Sequence, residues 1–283
     1  MSWPDARSGP IRVYVAKIRD PISRHFMRFL GELYRAEGFP SYPCLWDNLL
    51  PRLQSSPMDP SRIAQLLEPF LDSAASSSPP LPPAALNQIS TYIDLLLRWN
   101  ARVNLTAIRT PEQIVTRHFG ESLFAARHLL PSPGSAGMPA HSSASVPFVV
   151  DLGSGAGFPG LPMKIWSPGT KITLVESNHK KATFLGEAIR ALTLTGIDVF
   201  PGRAENFPPA TAKLVTLRAV ERFHEILPAA AALLSPQGRL ALLIGQPQVP
   251  RAHQLLPALQ WTKPTPIPQS ESRVLLTSIP NQC

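Results

Sequence analysis

Apolar positions recur along the chain in two rhythms, and the rhythm changes near residue 148. Ile11 to Ile18 alternates like a short strand. Asp20-Pro21 then supplies a cap and a first helical residue. Phe26, Phe29, Leu30, Leu33 and Tyr34 follow at helical spacing, and Gly38 closes the segment. A second helical pattern covers Arg62–Leu71. A third covers 84–99, with Leu86, Ile89, Ile93, Leu96 and Leu97 on one face, and Pro111-Glu112 opens a fourth near 111–129. From 148 onward strands and helices alternate. Strands are expected at Phe148–Leu152, Lys171–Glu176, Asp198–Gly202, Leu214–Leu217, Arg239–Ile244, near 260–267 and at 273–279. Helices are expected from near Pro159 and over 178–195, 221–234 and 249–259. Such alternation predicts a parallel sheet covered by helices on both faces.

Proline divides this pattern into segments. The chain has 33 prolines in 283 residues, about 12% against a usual share of about 5%. Proline fixes φ and lacks a backbone N–H, so it is excluded from helix interiors and central strands. It gathers in 40–60, in the Ser/Pro run 73–83 and in the Pro/Ser/Gly-rich stretch 131–147, whereas Pro111 stands alone in 84–130. The expected organisation is therefore an N-terminal extension 1–57, a helical region 58–130, a surface loop 131–147 and a strand–helix domain 148–283.

Composition narrows the partners. The formal net charge is +8, and residues 147–283 carry net +5 of it, which favours a polyanionic partner, nucleic acid first. No apolar run reaches the length of a membrane span, and the N-terminus lacks a signal-peptide layout, so a cytoplasmic protein is expected. Cys44 and Cys283 are the only cysteines and read as free thiols; the seven histidines form no cluster with metal-ligand spacing, so no metal is expected.

The chemistry concentrates in Asp151-Leu-Gly153-Ser-Gly155-Ala-Gly157-Phe-Pro-Gly160, between an expected strand and an expected helix. Glycines there let the backbone approach a ligand, and the helix start offers free N–H groups. Two cofactors compete. Gly155, Gly157 and Gly160 fit the dinucleotide fingerprint, whereas Asp151, Gly153, Gly155 and Gly157 fit the acidic-first pattern of S-adenosylmethionine methyltransferases. Asp151 favours the second, because an anion there repels a pyrophosphate and suits a sulfonium and an ammonium. Glu176, 19 residues beyond Gly157, ends the second strand where a carboxylate can accept both ribose hydroxyls. Gly202-Arg-Ala204-Glu205 lies beside the same crevice and can hold an adenine by backbone contact. No Asn/Asp-Pro-Pro-Tyr/Phe follows the fourth strand, which ends Leu217-Arg218-Ala219, so amine methylation of that style is not expected.

Several short motifs occur in a fixed order: Leu97-Arg-Trp-Asn100, Asn104-Leu-Thr106, Arg117-His118 followed by Glu121-Ser122, and Asp151–Pro162. Together they resemble the RsmG (GidB) family of bacterial 16S rRNA guanine-N7 methyltransferases, over about residues 58–283. The resemblance implies a Rossmann-like class I S-adenosylmethionine methyltransferase sheet behind a small N-terminal helical region. It implies methyl transfer to N7 of a guanosine in the 530 loop of 16S rRNA. By position, Gly153, Phe158 and Ala204-Glu205 match the family's cofactor contacts, and Arg218 matches an active-site arginine that also touches the cofactor. Arg273 matches a late basic residue; with Arg117 and His118 it is a candidate RNA contact. Three features depart from the family, one of them a 131–147 stretch longer than its usual connection. Ile244-Gly245 replaces its usual Lys-Gly, and residues 1–57 have no counterpart, Met58 standing where the family chain begins.

Guanine N7 has a lone pair and no proton to lose, so the implied reaction requires alignment rather than a base. Arg218 stays protonated and is expected to grip guanine O6, a phosphate or the cofactor carboxylate. The expected partner is 16S rRNA or the small ribosomal subunit, with the protein a monomer off the membrane. The rival readings are an NAD-dependent oxidoreductase using Gly155, Gly157 and Gly160, and a non-catalytic rRNA-binding assembly protein.

Overall fold

Residues 57–71, 81–131, 149–218 and 222–280 are described in a computed structural model. The strand and helix expected over 11–38, the Cys44 and Cys283 positions and most of the 131–147 loop lie outside the described residues. Pro57–Cys283 forms one compact unit.

The helical region begins with α1 (Pro60–Leu71) and α2 (Pro83–Asn100). Helix α2 starts on Pro83, whose missing N–H is no loss in a first turn. Helix α3 opens as Pro111–Gln113, widens to a π-helical stretch over Ile114–Gly120, and resumes as α-helix over Glu121–Leu129. A continuous helix near 111–129 was expected, so its span is met. The wide turns were not foreseen; they cover the stretch that carries Arg117 and His118, and such insertions are common at functional positions. Gly120 lets α3 and α1 approach closely, since a Cβ there would lie 2.6 Å from the Phe70 ring.

The strands are β1 (Val149–Leu152), β2 (Ile172–Val175), β3 (Ile197–Phe200), β4 (Ala212–Arg218), β5 (Leu234–Gly245), β6 (Thr265–Pro266) and β7 (Arg273–Thr277). They form one sheet in the order β3-β2-β1-β4-β5-β7-β6. Strands β1 to β5 pair in parallel, while β7 runs antiparallel to β5 and β6 antiparallel to β7. This is the expected Rossmann-like sheet, five parallel strands with two antiparallel ones at one edge. The intervening helices are α4 (Gly160–Trp166), α5 (His179–Ala191), α6 (Phe223–Ala232) and α7 (Val249–Leu255).

Several boundaries differ from expectation: the helices expected over 178–195 and 249–259 end at Ala191 and Leu255, and two further differences fall in the sheet. Strand β5 begins at Leu234 rather than Arg239, across an irregular register opposite Ala212–Leu214. Strand β6 has only two residues, because Pro264, Pro266 and Pro268 cannot donate ladder hydrogen bonds.

Side chains alternate across the sheet and build two apolar layers. Val149, Leu174, Leu214 and Leu243 meet the helical region through Phe70, Tyr92 and Phe119. Val150, Val175, Val215 and Leu242 meet Phe207, Leu227, Ala230 and Val249 on the other face. The helical region therefore shares one core with the sheet. The chain runs from β1 outward to β3, then crosses back to β4, so strand order reverses between β1 and β4. In open α/β sheets that reversal leaves a crevice at the carboxyl ends of the strands, where ligands bind.

Candidate cofactor crevice and arginine cluster

The turn after β1 occupies that crevice. Gly153, Gly155 and Gly157 have φ of 66°, 58° and 86°, the left-handed region that side chains resist. Their surroundings differ. A Cβ at Gly153 would meet nothing within 4 Å, whereas one at Gly157 would lie 2.4 Å from Leu161 Cδ1 and 2.7 Å from Tyr92 Oη. Gly153 therefore borders open space and Gly157 is enclosed by protein. Gly160 has a packing role: a Cβ there would lie 2.3 Å from Leu174 Cδ2.

Glu176 follows β2 and clasps this turn. Its Oε2 accepts from Gly155 N–H at 2.8 Å and its Oε1 from Asn178 N–H at 2.8 Å. Each carboxylate oxygen has a further lone pair, so both remain able to accept a hydroxyl. Ala204 is buried and Glu205 exposed on a short turn, Ala204–Asn206, after β3. Asn178 caps α5, accepting from the backbone N–H groups of Lys180 and Lys181.

Asp151 was read as suiting the positive charge of the cofactor, directly or through water. It is fully buried, its Oδ2 accepting from Gly160 N–H at 3.1 Å and its Oδ1 from the Thr216 hydroxyl at 2.9 Å. The carboxylate ties the far end of the glycine turn to β4. Tyr92, from α2, donates its hydroxyl to Ala156 O in the same turn. Burial holds the Asp151 carboxyl at about 6, against 3.8 normally, despite the hydrogen bonds and Arg218, which act the other way. The folded protein thus binds this proton more tightly than the unfolded chain. Stability is expected to fall as pH rises from about 4 to about 6, by on the order of 3 kcal/mol from this group alone. In Asp151→Asn the amide can still accept from Gly160 and can donate to the Thr216 hydroxyl. That variant is expected to lose the dependence, read as denaturant midpoints compared with wild type between pH 4 and 7. Parallel curves for the two proteins would contradict this assignment.

The family-like motifs of the helical region form a relay. Asn100 Oδ1 accepts from Leu105 N–H and Thr106 N–H, and its amide donates to Thr106 O at 2.9 Å, which fixes the loop after α2. Thr106 Oγ1 lies 2.7 Å from His118 Nε2. The His118 ring stacks on Phe158 at 4.6 Å, and Phe158 follows the last glycine of the turn. Burial, and then the nearby Arg218, Arg117 and Arg273, push His118 down to about 3, so it is neutral at physiological pH. His118, a candidate RNA contact in the sequence, is 8% exposed and lies against Phe158.

Arg218, Arg117 and Arg273 converge on Glu121, which was quoted within a motif but not predicted as a site residue. Arg218 donates from Nη2 at 3.0 Å and Nε at 3.2 Å to Glu121 Oε2, and from Nη2 to Arg117 O at 2.7 Å. Arg273 Nε lies 3.0 Å from the same oxygen, and its Nη2 donates to Leu243 O. Arg117 Nε lies 3.7 Å from Oε1 and its side chain is 57% exposed. The Arg218 guanidinium also sits 5.9 Å from the centre of the Phe158 ring. Sequence reading missed Glu121, Tyr92 and Thr216. An acid four residues after Arg117 on one expected helix was the available signal for the first; the other two depend on long-range packing. Ile244 is packed into the second apolar layer.

Among the described residues, no group of three or more His, Cys, Asp or Glu could hold a metal ion, and no helix is long and apolar enough to cross a membrane. The family model described as GidB, rRNA small subunit methyltransferase G, matches residues 85–263. The chain belongs to this family. It is 39% identical over 155 residues to ribosomal RNA small subunit methyltransferase G of Xylella fastidiosa strain 9a5c, a match covering 54% of this chain and 66% of the relative. It is 38% identical over 187 residues to the protein of that name from Stenotrophomonas maltophilia strain K279a, covering 66% of this chain and 79% of the relative. Among solved structures it is similar to the ribosomal protein L11 methylase of Lactobacillus delbrueckii subsp. bulgaricus. That similarity has a TM-score of 0.45 and 13% identity, covering 58% of this chain and 79% of that one. In this GidB-family chain the Asn100 loop, His118, Phe158 and the arginines lie in contact with one another.

Proposed function

We propose that this chain transfers a methyl group from S-adenosylmethionine to N7 of a guanosine in the 530 loop of 16S rRNA, presented as free rRNA or within the small subunit. The observation that carries the reading is the adjacency of an open glycine turn and an arginine cluster built round the buried Glu121, at one strand-order reversal. The residues fit the cofactor. Gly153 leaves room for close approach, Glu176 retains lone pairs for two hydroxyls, and the Ala204-Glu205 backbone lies beyond the next strand. Bound there, S-adenosylmethionine supplies an electrophilic methyl on a sulfonium.

The protein's part is alignment. Gly155 and Glu176 hold the ribose end, and Ala204-Glu205 the adenine end. Phe158, stacked on His118, walls the reacting space and excludes water. Arg218 and Arg273 present cationic donors to guanine O6 or to a phosphate, leaving N7 free to attack. No group has to remove a proton, which agrees with a neutral His118 and an inward-facing Asp151. Ribosomal RNA as acceptor sets the reaction in the cytoplasm, with the protein acting as a monomer.

Equilibrium binding tests the cofactor. Calorimetric titration is expected to show S-adenosylmethionine binding and no heat with NAD. Binding of NAD alone would support the oxidoreductase reading. Retained RNA binding without any S-adenosylmethionine binding would support the assembly-protein reading.

A further inference from the structure

Glu121 is 2% exposed and is surrounded by three guanidinium groups that come from separate elements: Arg117 on the π-helical stretch, Arg218 ending β4 and Arg273 starting β7. Register places these two strand residues together. Arg218 pairs with Leu243, and Arg273 with Gly245, so both lie at the carboxyl edge of the parallel strands. One carboxylate against three cations leaves a net +2. The load is also uneven. Oε2 receives both donors of Arg218 and lies beside Arg273, whereas Oε1 is buried and accepts no hydrogen bond.

We propose that Glu121 is a positioning residue for the transfer. Its carboxylate aims Arg218 and Arg273 at the reacting base and masks part of their charge from the RNA backbone. The inference rests on the methyltransferase reading above. Arg218 donates to one oxygen from two nitrogens and to the Arg117 carbonyl as well, which fixes the plane of its guanidinium. A neutral amide in place of the acid offers one acceptor and turns an N–H₂ toward the arginines. Like charges then separate, and the freed guanidinium groups become available to phosphates.

This predicts a split between turnover and affinity that simple destabilisation does not give. With a 16S rRNA fragment containing the 530 loop, Glu121→Gln is expected to lower kcat at least tenfold. It is expected to bind the fragment as tightly as wild type or more tightly, with a steeper dependence of affinity on salt, because more phosphates are neutralised. Glu121→Asp keeps the charge and is expected to recover part of kcat and the wild-type salt slope. If the Gln variant does not fold, the Asp variant carries the test, with lowered kcat at unchanged RNA affinity expected. Equal kcat in wild type and variant overturns the proposal. So does a joint fall of kcat and RNA affinity with Asp no better than Gln. If wild type itself transfers no methyl group, the functional reading fails instead, while the salt slopes still report whether Glu121 masks the arginines.

Discussion

Arg218→Ala is expected to reduce methyl transfer at least a hundredfold, about 2.7 kcal/mol of transition-state stabilisation. Arg218 touches Glu121, the Arg117 carbonyl and the face of Phe158 together. Burial lowers its pKa and Glu121 raises it again, so it remains a cation held in a dry place. A cation there can polarise O6 or hold a phosphate while the methyl group moves. The fold is expected to survive its removal, because Glu121 keeps Arg273 at 3.0 Å and Arg117 at 3.7 Å. Arg218→Lys is expected to recover little, since a single ammonium cannot supply donors to both Glu121 and the Arg117 carbonyl in one plane. Single-turnover rates on the rRNA fragment, with unfolding midpoints as a control, check both. Wild-type rates in Arg218→Ala would remove it from the site.

Gly157→Ala and Gly153→Ala are expected to fail in different ways. At Gly157 the new methyl would overlap Leu161 and Tyr92, and φ is already 86°. A cost of about 3 kcal/mol or more in stability is expected from overpacking and backbone strain together. At Gly153 the methyl would enter open space at φ 66°. There only the strain of about 1–2 kcal/mol applies, and the fold is expected to hold. Its methyl would stand where the cofactor approaches the backbone, so S-adenosylmethionine affinity is expected to drop at least tenfold. Denaturant unfolding and calorimetric titration of both variants separate the effects. A fully stable Gly157→Ala, or unchanged cofactor affinity in Gly153→Ala, would contradict the assignment of these glycines.

Much of this architecture follows from local pattern. The glycine spacing after an apolar strand places the turn, and Gly153, Gly155 and Gly157 have the positive φ that such a turn needs. Helical spacing over 84–99 locates α2 almost to its ends, and Pro111 marks the start of α3. What local pattern does not carry is partnership across distance. Asp151 stands beside the glycines in sequence, which suggested a ligand. Its partners Thr216 and Gly160 are set by the β1–β4 register and by the entry of α4. Tyr92 looks like one more core residue of α2 until the helix docks against Ala156. Arg117, Glu121, Arg218 and Arg273 are separated by up to 156 residues, and only the sheet order brings them together. The π-helical turns depend on how α3 settles against the site, which helical periodicity does not encode.

The central claim is that this crevice and arginine cluster deliver a methyl group to N7 of one guanosine. The most direct test incubates the protein and S-adenosylmethionine with unmethylated 16S rRNA or small subunits. Borohydride reduction and aniline cleavage then reveal N7-methylated positions by primer extension. A new stop at one guanosine of the 530 loop, absent without protein and absent with Arg218→Ala, is the predicted result. Methyl incorporation at other positions only, or none in either substrate, would contradict it.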